Sequence, residues 1–127
     1  MSYPNEYRYT KDHEWVKIEG GSARVGITDH AQHELGDVVF VELPSVGAEV
    51  KKGDNLGTVE SVKAVGDVYA PVSGKVIEVN SGLEDSPETI NRSPHQDGWI
   101  AIIEMGDPAE ADSLLTAPDY EKYVAEG

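Results

Sequence analysis

Short runs of alternating or β-branched apolar residues recur along the chain, each bounded by residues that favour turns. Apolar side chains at every second position place one face of a strand on a core and leave the other face to water. Turn residues such as KKGD at 51–54 separate the runs. The pattern predicts a mainly β domain with a minor helical part, with strands in YRYT, EWVKIE, ARVGI, DVVFVEL, NLGTVESV, GDVYA, GKVIEVN and WIAIIEM.

Three segments have helical features instead. Thr28 is a suitable N-cap for a short helix that ends at Leu35, because Gly36 follows and glycine commonly terminates helices. The segment DPAEADSLL at 107–115 opens with an aspartate and a proline, which are typical of a helix start. In PDYEKYV at 118–124, apolar residues repeat at helical spacing. We therefore expect one helix early in the chain and two near its end, packed on the β core.

The acidic excess narrows the classes of partner. A length of 127 residues is typical of one domain, so we expect a single domain over residues 1–127. Asp and Glu number 24 against 10 Lys and Arg, which gives a net charge of −14. That charge repels nucleic-acid phosphates and anionic lipids, and we expect neither nucleic acid nor membrane as a partner. The chain has no cysteine, so any sulfur chemistry must come from outside the protein.

One lysine interrupts the run of small and apolar residues in GTVESVKAVGDVYAP at 57–71. Folding this stretch about Lys63 and Ala64 gives a hairpin with the lysine at an exposed tip. The same register puts Glu60 opposite Asp67, a like-charge pair that costs stability unless both are solvated. An edge-strand lysine that discourages aggregation would have the same spacing. Spacing alone therefore leaves an attachment point and a protective lysine as alternatives.

The surrounding segments resemble the glycine cleavage system H proteins, a lipoyl-carrier family. ESVKA at 60–64, followed by APVSG at 70–74, resembles the lipoyl attachment site of that family. An ordered series of segments is more specific than a single motif. Nearly the whole chain shows such a series, in the order of the family: HEW at 13–15, VGITDHAQ at 25–32, LGDVVFVELP at 35–44, GDVYAPVSGKVIEVN at 66–80, and IN with GW between 90 and 99.

The resemblance implies a flattened β-sandwich of the lipoyl- and biotinyl-carrier type, a barrel-sandwich hybrid, with lipoic acid in amide linkage on Lys63. The lysine stem and the lipoyl chain together form a swinging arm of about 14 Å by standard bond lengths. In that family the P protein, a glycine decarboxylase, loads the arm with an aminomethyl group. The T protein, an aminomethyltransferase, passes the carbon to tetrahydrofolate, and the L protein, a dihydrolipoamide dehydrogenase, reoxidises the arm. We accordingly expect a monomeric carrier and not an enzyme.

The resemblance also suggests which neighbours of Lys63 have a role. A lipoate-attaching enzyme must recognise the tip of the hairpin. The cargo amine is protonated near neutral pH, so a carboxylate close to the tip would hold it. Asp67 and Glu14, the latter from HEW, are the candidates for this arm cleft. The residues expected to be recognised during lipoylation flank the amine: Glu60, Ser61, Val62 and Ala64.

Two other functions are alternatives at this stage. A lipoate relay, or a lipoyl-binding protein of sulfur metabolism, would carry the same modification on Lys63 without serving glycine cleavage. A small metalloenzyme or hydrolase would use the histidines, of which His30 and His33 lie at i and i+3 on the early helix and His13 lies in HEW. HAQHE matches neither the H-E-x-x-H nor the H-x-x-E-H zinc motif, so we predict no metal site.

The first residues, MSYPNEYRYTKDHEWVK, have neither the apolar region of a secretory signal nor the arginine-rich character of a transit peptide. We therefore expect a cytoplasmic bacterial protein. The mitochondrial matrix is the expected compartment if the chain is a processed eukaryotic protein.

Overall fold

The computed structural model describes residues 3–126. Strands make up most of the regular structure, and the helices are short apart from the last one. The elements are β1 (Tyr7–Tyr9), β2 (Glu14–Glu19), β3 (Ser22–Ile27), α1 (Asp29–Leu35), β4 (Val38–Glu42), β5 (Glu49–Val50), β6 (Asn55–Ser61), β7 (Val65–Tyr69), β8 (Gly74–Val79), α2 (Gly82–Asp85), α3 (Thr89–Arg92), β9 (Ala101–Met105), a 3-10 helix (Pro108–Ser113) and α4 (Ala117–Glu126).

The strands form two sheets that share a core. The larger sheet has the order β1-β2-β3-β9-β8-β5, and the smaller one has the order β4-β6-β7. Val16, Val25 and Ile103 of the larger sheet belong to the same buried cluster as Val59 and Val68 of the smaller sheet. Full burial of side chains of this size contributes about 1.5 to 3 kcal/mol each. The prediction of a mainly β fold is therefore confirmed, and its two sheets face each other across one core.

Helix α1 begins and ends where the sequence predicts. Thr28 Oγ1 accepts a hydrogen bond from the Ala31 N–H, which caps the N-terminus. Gly36 ends the helix with φ of 82°, a left-handed conformation that costs glycine little because it has no Cβ. Asn91 of α3 fixes this end, since its amide donates to the Gly36 carbonyl and its oxygen accepts from the Val38 N–H. The turn between α1 and β4 is thus held in place from outside.

The C-terminal segments form the two predicted helices, with one difference in type. Asp107 Oδ1 accepts from the Ala109 N–H as expected of an N-cap, but the helix that follows is a 3-10 helix, and Leu114 after it is extended. Glu110 accepts hydrogen bonds from the backbone N–H and the hydroxyl of Ser73. This long-range contact joins the 3-10 helix to the residue before β8. In the described part of the chain, no helix has the length and apolar character needed to cross a bilayer.

An aromatic cluster joins α4 to the first two strands. The Tyr9 and Tyr120 rings stack with centroids 4.9 Å apart, and the Tyr7 and Trp15 rings stack at the same separation. Tyr9, Trp15 and Tyr120 are fully buried. This second cluster is distinct from the core between the sheets, and it packs α4 against β1 and β2.

Candidate functional site

Lys63 stands at the tip of the β6–β7 hairpin, in a turn from Ser61 to Ala64. The Ser61 N–H donates to the Ala64 carbonyl at 2.8 Å. The Ser61 hydroxyl accepts from the N–H groups of Lys63 at 3.3 Å and of Ala64 at 3.0 Å. Serine side chains close turns in this way by bonding the backbone two and three residues on. The hairpin therefore forms without the glycine or asparagine that tight turns usually need.

The register predicted for this hairpin is wrong, because the turn is centred one residue earlier than expected. Glu60 pairs with Val65, and Asp67 pairs with Thr58. The predicted like-charge pair of Glu60 and Asp67 does not form. Asp67 Oδ1 instead accepts from the Thr58 hydroxyl at 3.5 Å. The choice of the turn centre follows from the hydrogen bonds inside the loop and not from the cross-strand charges.

The Lys63 side chain is exposed and runs across the end of helix α1. A Cβ atom added to Gly36 would lie 3.4 Å from Lys63 Cε, so the lysine stem lies over this glycine. Within residues 3–126, Lys63 takes part in no ion pair. The amine is therefore accessible for covalent attachment, and its stem lies beside the C-terminal end of α1.

A cleft of about 360 Å³ opens between α1 and the β6–β7 hairpin. Leu35, the residue before Gly36, forms part of its wall. A Cβ atom on Gly66 would lie 3.4 Å from Leu35 Cδ2, so glycine at this position keeps the cleft open. The apolar lining residues are Ile27, Ala31, Leu35, Val59 and Val68, and the polar ones are Asp12, His13, His30, Glu34 and Asp67.

The two candidate acids of the arm cleft lie in different environments. Asp67 is exposed and lines the cleft, whereas Glu14 is 1% exposed and lines a neighbouring hollow of about 300 Å³. Asp12 lines both cavities. The Glu14 carboxylate accepts from the Thr10 hydroxyl at 2.7 Å and from the Tyr69 N–H at 3.0 Å. Burial raises the pKa of Glu14 to about 7, although both hydrogen bonds act in the opposite direction.

Of the three histidines considered as metal ligands, two lie together at the cleft and one does not line it. The His13 and His30 ring centroids are 4.6 Å apart, and both residues line the cleft, whereas His33 is an exposed residue of α1. Burial, and then the proximity of His30, lowers the pKa of His13. Among the described residues, no group of three or more metal-ligating side chains assembles.

The residues predicted for lipoylation recognition differ in their accessibility. Glu60, Val62 and Ala64 are exposed around the amine, and Val62 is 71% exposed. Ser61 is buried, and its hydroxyl is used within the turn. Ser61 therefore shapes the tip, while the other three side chains are available to a partner.

Sequence reasoning missed Gly36, Leu35 and Asp12 as parts of the site. The local sequence pattern identified Gly36 only as the end of a helix. It did not indicate that the stem of Lys63 would lie across this glycine. Their contribution depends on how α1 packs beside the hairpin, which is a long-range contact.

Known proteins of one family are similar to this chain over nearly its whole length. The family model described as glycine cleavage H-protein matches residues 7–127. The glycine cleavage system H protein of Geobacillus sp. (strain WCH70) is 55% identical over 127 residues and covers 100% of both chains. That of Bacillus licheniformis is 55% identical over 126 residues, with 99% of each chain covered.

A solved structure extends the similarity to the fold. The crystal structure of a glycine cleavage system H protein from Mycobacterium marinum matches with a TM-score of 0.85 at 42% identity, over 98% of each chain. The resemblance inferred from the sequence and the expected lipoyl-carrier sandwich are both confirmed. The chain belongs to the glycine cleavage H-protein family.

Proposed function

We propose that this chain carries lipoic acid in amide linkage on Lys63 and works as the aminomethyl carrier of the glycine cleavage system. Its partners are then the P, T and L proteins and a lipoate-attaching enzyme. The bound lipoyl group supplies a reactive disulfide, which a chain without cysteine lacks. The observation that carries the proposal is the exposed Lys63 amine, whose stem lies over Gly36 beside the open cleft.

The tip suits the attachment of a long arm. Ser61 fixes the backbone on both sides of the lysine, so the anchor is rigid while the side chain is free. Amide formation removes the positive charge of Lys63, and no ion pair within the described residues is broken by it. Glu60, Val62 and Ala64 surround the amine and form the surface that the attaching enzyme contacts.

The cleft suits the sheltering of the loaded arm. An arm of about 14 Å that starts over Gly36 is long enough to pass Leu35 and enter between α1 and the hairpin. The apolar floor around Val59 and Val68 excludes water from the reactive end. Because Gly66 has no side chain, the cleft is wide enough beside Leu35 for the arm to enter.

Carboxylates hold the ammonium of the cargo. Asp67 lines the cleft directly, together with Asp12 and Glu34, and Glu14 lies in the adjoining hollow. The pKa of Glu14, about 7, leaves this group partly protonated at neutral pH. An ammonium nearby stabilises the ionised form, so docking of the cargo favours loss of the Glu14 proton.

The chain acts as a monomeric carrier and not as a catalyst in this proposal, and the decarboxylation and the carbon transfer take place on its partners. The bacterial relatives support the cytoplasm as the compartment. The exposed Lys63 hairpin supports the carrier role, because it presents the arm to the active sites of larger enzymes.

The experiment loads the lipoylated protein with labelled glycine by using purified P protein. The retention of the labelled carbon is then followed by intact mass. Asp67→Asn and Glu14→Gln are expected to shorten retention, and Gly66→Val is expected to shorten it by filling the cleft. Asp97→Asn is the matched control, because Asp97 is exposed and does not line the cleft.

Equal retention in all four variants would contradict the sheltering cleft. A lipoylated protein that P protein cannot load at all would contradict the carrier function itself.

A further inference from the structure

His13 is held in an unusual conformation at the edge of the cleft. Its φ of 69° makes it the one non-glycine residue with positive φ in the part of the chain that the structure describes. Left-handed backbone costs such a residue about 1 to 2 kcal/mol and persists where surrounding contacts impose it. The His13 N–H donates to the Thr10 carbonyl, and the His13 carbonyl accepts from the Thr28 N–H. These bonds fix the direction in which the imidazole leaves the backbone.

The imidazole is the end of a buried chain of hydrogen bonds. His13 Nδ1 lies 2.7 Å from the Tyr120 hydroxyl, which in turn lies 2.8 Å from Thr28 Oγ1. Thr28 Oγ1 already accepts from the Ala31 N–H as the cap of α1. The cleft residue His13 is thereby connected to the C-terminal helix through Tyr120.

Counting donors and acceptors decides which group donates in each hydrogen bond between Thr28 and His13. If Thr28 donates to Tyr120 and Tyr120 donates to His13 Nδ1, every hydroxyl proton has an acceptor. In the opposite direction, Nδ1–H donates to Tyr120, Tyr120 donates to Thr28, and the Thr28 proton has no acceptor within residues 3–126. Thr28 is fully buried, and an unsatisfied buried donor costs about 1 to 3 kcal/mol. The first direction is therefore the stable one.

We infer that Tyr120 is a positioning residue which, together with Thr28, holds His13 as the neutral tautomer protonated at Nε2 at the edge of the arm cleft. Nδ1 accepts a hydrogen bond from the Tyr120 hydroxyl. The imidazole can therefore gain a proton at Nδ1 only if both hydrogen bonds between Thr28 and His13 reverse their direction. His13 then adds no positive charge to a cleft whose cargo is an ammonium. The functional part of the inference rests on the proposed function, whereas the tautomer does not.

Some groups around the His13 ring favour its protonated form, and others oppose it. Burial is the largest cause of the lowered pKa of His13, and the proximity of His30 lowers it further. Asp12 and Glu34 act in the opposite direction, because they favour the charged form. The hydrogen-bonded chain adds to the first two effects, because it stabilises the neutral imidazole. The titratable groups that face His13 or the cleft beside it are Asp12 of its own segment, His30 and Glu34 of α1, Asp67 of β7, and Tyr120 and Tyr123 of α4.

The test uses nuclear magnetic resonance of the nitrogen-15-labelled chain without its arm, with the His13 signals assigned by their loss in His13→Gln. We expect the proton on Nε2 above neutral pH and a titration midpoint below that of an ordinary histidine. Tyr120→Phe removes the donor to Nδ1, so the midpoint should shift upward and both tautomers should be populated. Tyr123→Phe is the matched control, because the Tyr123 ring is 5.9 Å from the His13 ring but its hydroxyl donates to the Lys11 carbonyl.

A second readout separates positioning from general stability. Thr28→Ser keeps the buried hydroxyl and should keep the tautomer and the midpoint of the unaltered protein. In the loaded protein, Tyr120→Phe should lose cargo retention at a higher pH on acidification than Tyr123→Phe does.

A proton on Nδ1 in the unaltered protein would overturn the inference, even if Tyr120→Phe fails to fold. A titration midpoint that is the same in Tyr120→Phe and Tyr123→Phe would also overturn it. Cargo retention that is unchanged in both Asp67→Asn and Glu14→Gln would count against the proposed function. It would not contradict the assigned tautomer of His13.

Discussion

The tip of the β6–β7 hairpin and the adjoining wall, formed by residues 13–15 beside the cleft, are built in opposite ways. At the tip, Val62 and Val65 are 71% and 64% exposed, and few contacts restrain the side chains. At the wall, Glu14 and Trp15 are almost fully buried, and His13 is held in a left-handed conformation. The tip can present an arm to several partners because little else depends on it. The wall can offer fixed polar groups because the surrounding core holds them.

The same difference separates their electrostatics. Burial raises the pKa of Glu14 and lowers that of His13, so both groups of the wall are driven toward their uncharged forms. In the function that we propose, an ammonium that enters the cleft would favour the ionised form of Glu14, whereas the tip would only position the arm.

The largest difference between the two regions is expected in stability. Trp15 stacks on Tyr7 and donates to the Pro94 carbonyl at 2.7 Å, so Trp15→Ala should lower the free energy of unfolding by about 3 to 5 kcal/mol. Val62→Ala at the tip should change it by less than about 0.5 kcal/mol. Urea denaturation of the two variants checks this, and similar losses in both would contradict the contrast.

The second prediction concerns the pH dependence of stability. The pKa of Glu14 rises from 4.5 in the unfolded chain to about 7 in the fold, so between these values the native state binds the proton more tightly. Glu14 therefore makes the unfolding free energy fall by about 3 kcal/mol as the pH rises through this window, and adds no further change above it. Glu14→Gln should remove that fall.

Denaturation curves at a series of pH values measure the effect of Glu14. Glu78→Gln is the control, because Glu78 is an exposed glutamate of β8 and its loss should keep the slope of the unaltered protein. The same slope in Glu14→Gln would show that Glu14 titrates as an exposed acid.

A smaller effect is expected from the serine that closes the turn. Ser61→Ala removes the hydroxyl that accepts from the Lys63 and Ala64 N–H groups, which should cost about 1 kcal/mol of unfolding free energy. A looser tip should also be lipoylated more slowly. Ser45→Ala, at an exposed serine outside the site, should affect neither the denaturation midpoint nor the rate of lipoylation. Equal rates in the two variants would remove Ser61 from the shaping of the tip.

The smallest change in stability is expected at the tip lysine itself. Lys63 is exposed, and its stem contacts the surface at Gly36, so Lys63→Arg should change the free energy of unfolding by less than about 0.5 kcal/mol. Thermal or urea denaturation measures this directly. A large loss would mean that Lys63 has a structural role in the hairpin.

Local signals were sufficient for part of this molecule. Thr28 and Gly36 predicted both ends of α1, because an N-cap side chain and a left-handed glycine act over one helical turn. The alternating runs predicted eight of the nine described strands, but β5 and the short helices α2 and α3 were not predicted. The position of Lys63 at a tip was correct even though the register was not. Ser61 moved the centre of the turn by one residue, and no propensity rule for two-residue turns contains that hydrogen bond.

The wall of the cleft was beyond local signals. Glu14 became a candidate only through the resemblance of HEW to the family, because its burial depends on contacts with Tyr69, 55 positions away. His13 and Tyr120 are 107 positions apart, and their contact exists only because α4 returns to the first strands. Residues that act through long-range packing have no local pattern by which to find them.

The most direct test of the central claim is intact-mass measurement with peptide mapping, on protein produced in the presence of lipoate and of a lipoate-attaching enzyme. Lipoyl addition on the peptide that contains Lys63, and its complete loss in Lys63→Arg, is the predicted result. A modification on any other lysine, or one that persists in Lys63→Arg, would contradict attachment at the hairpin tip.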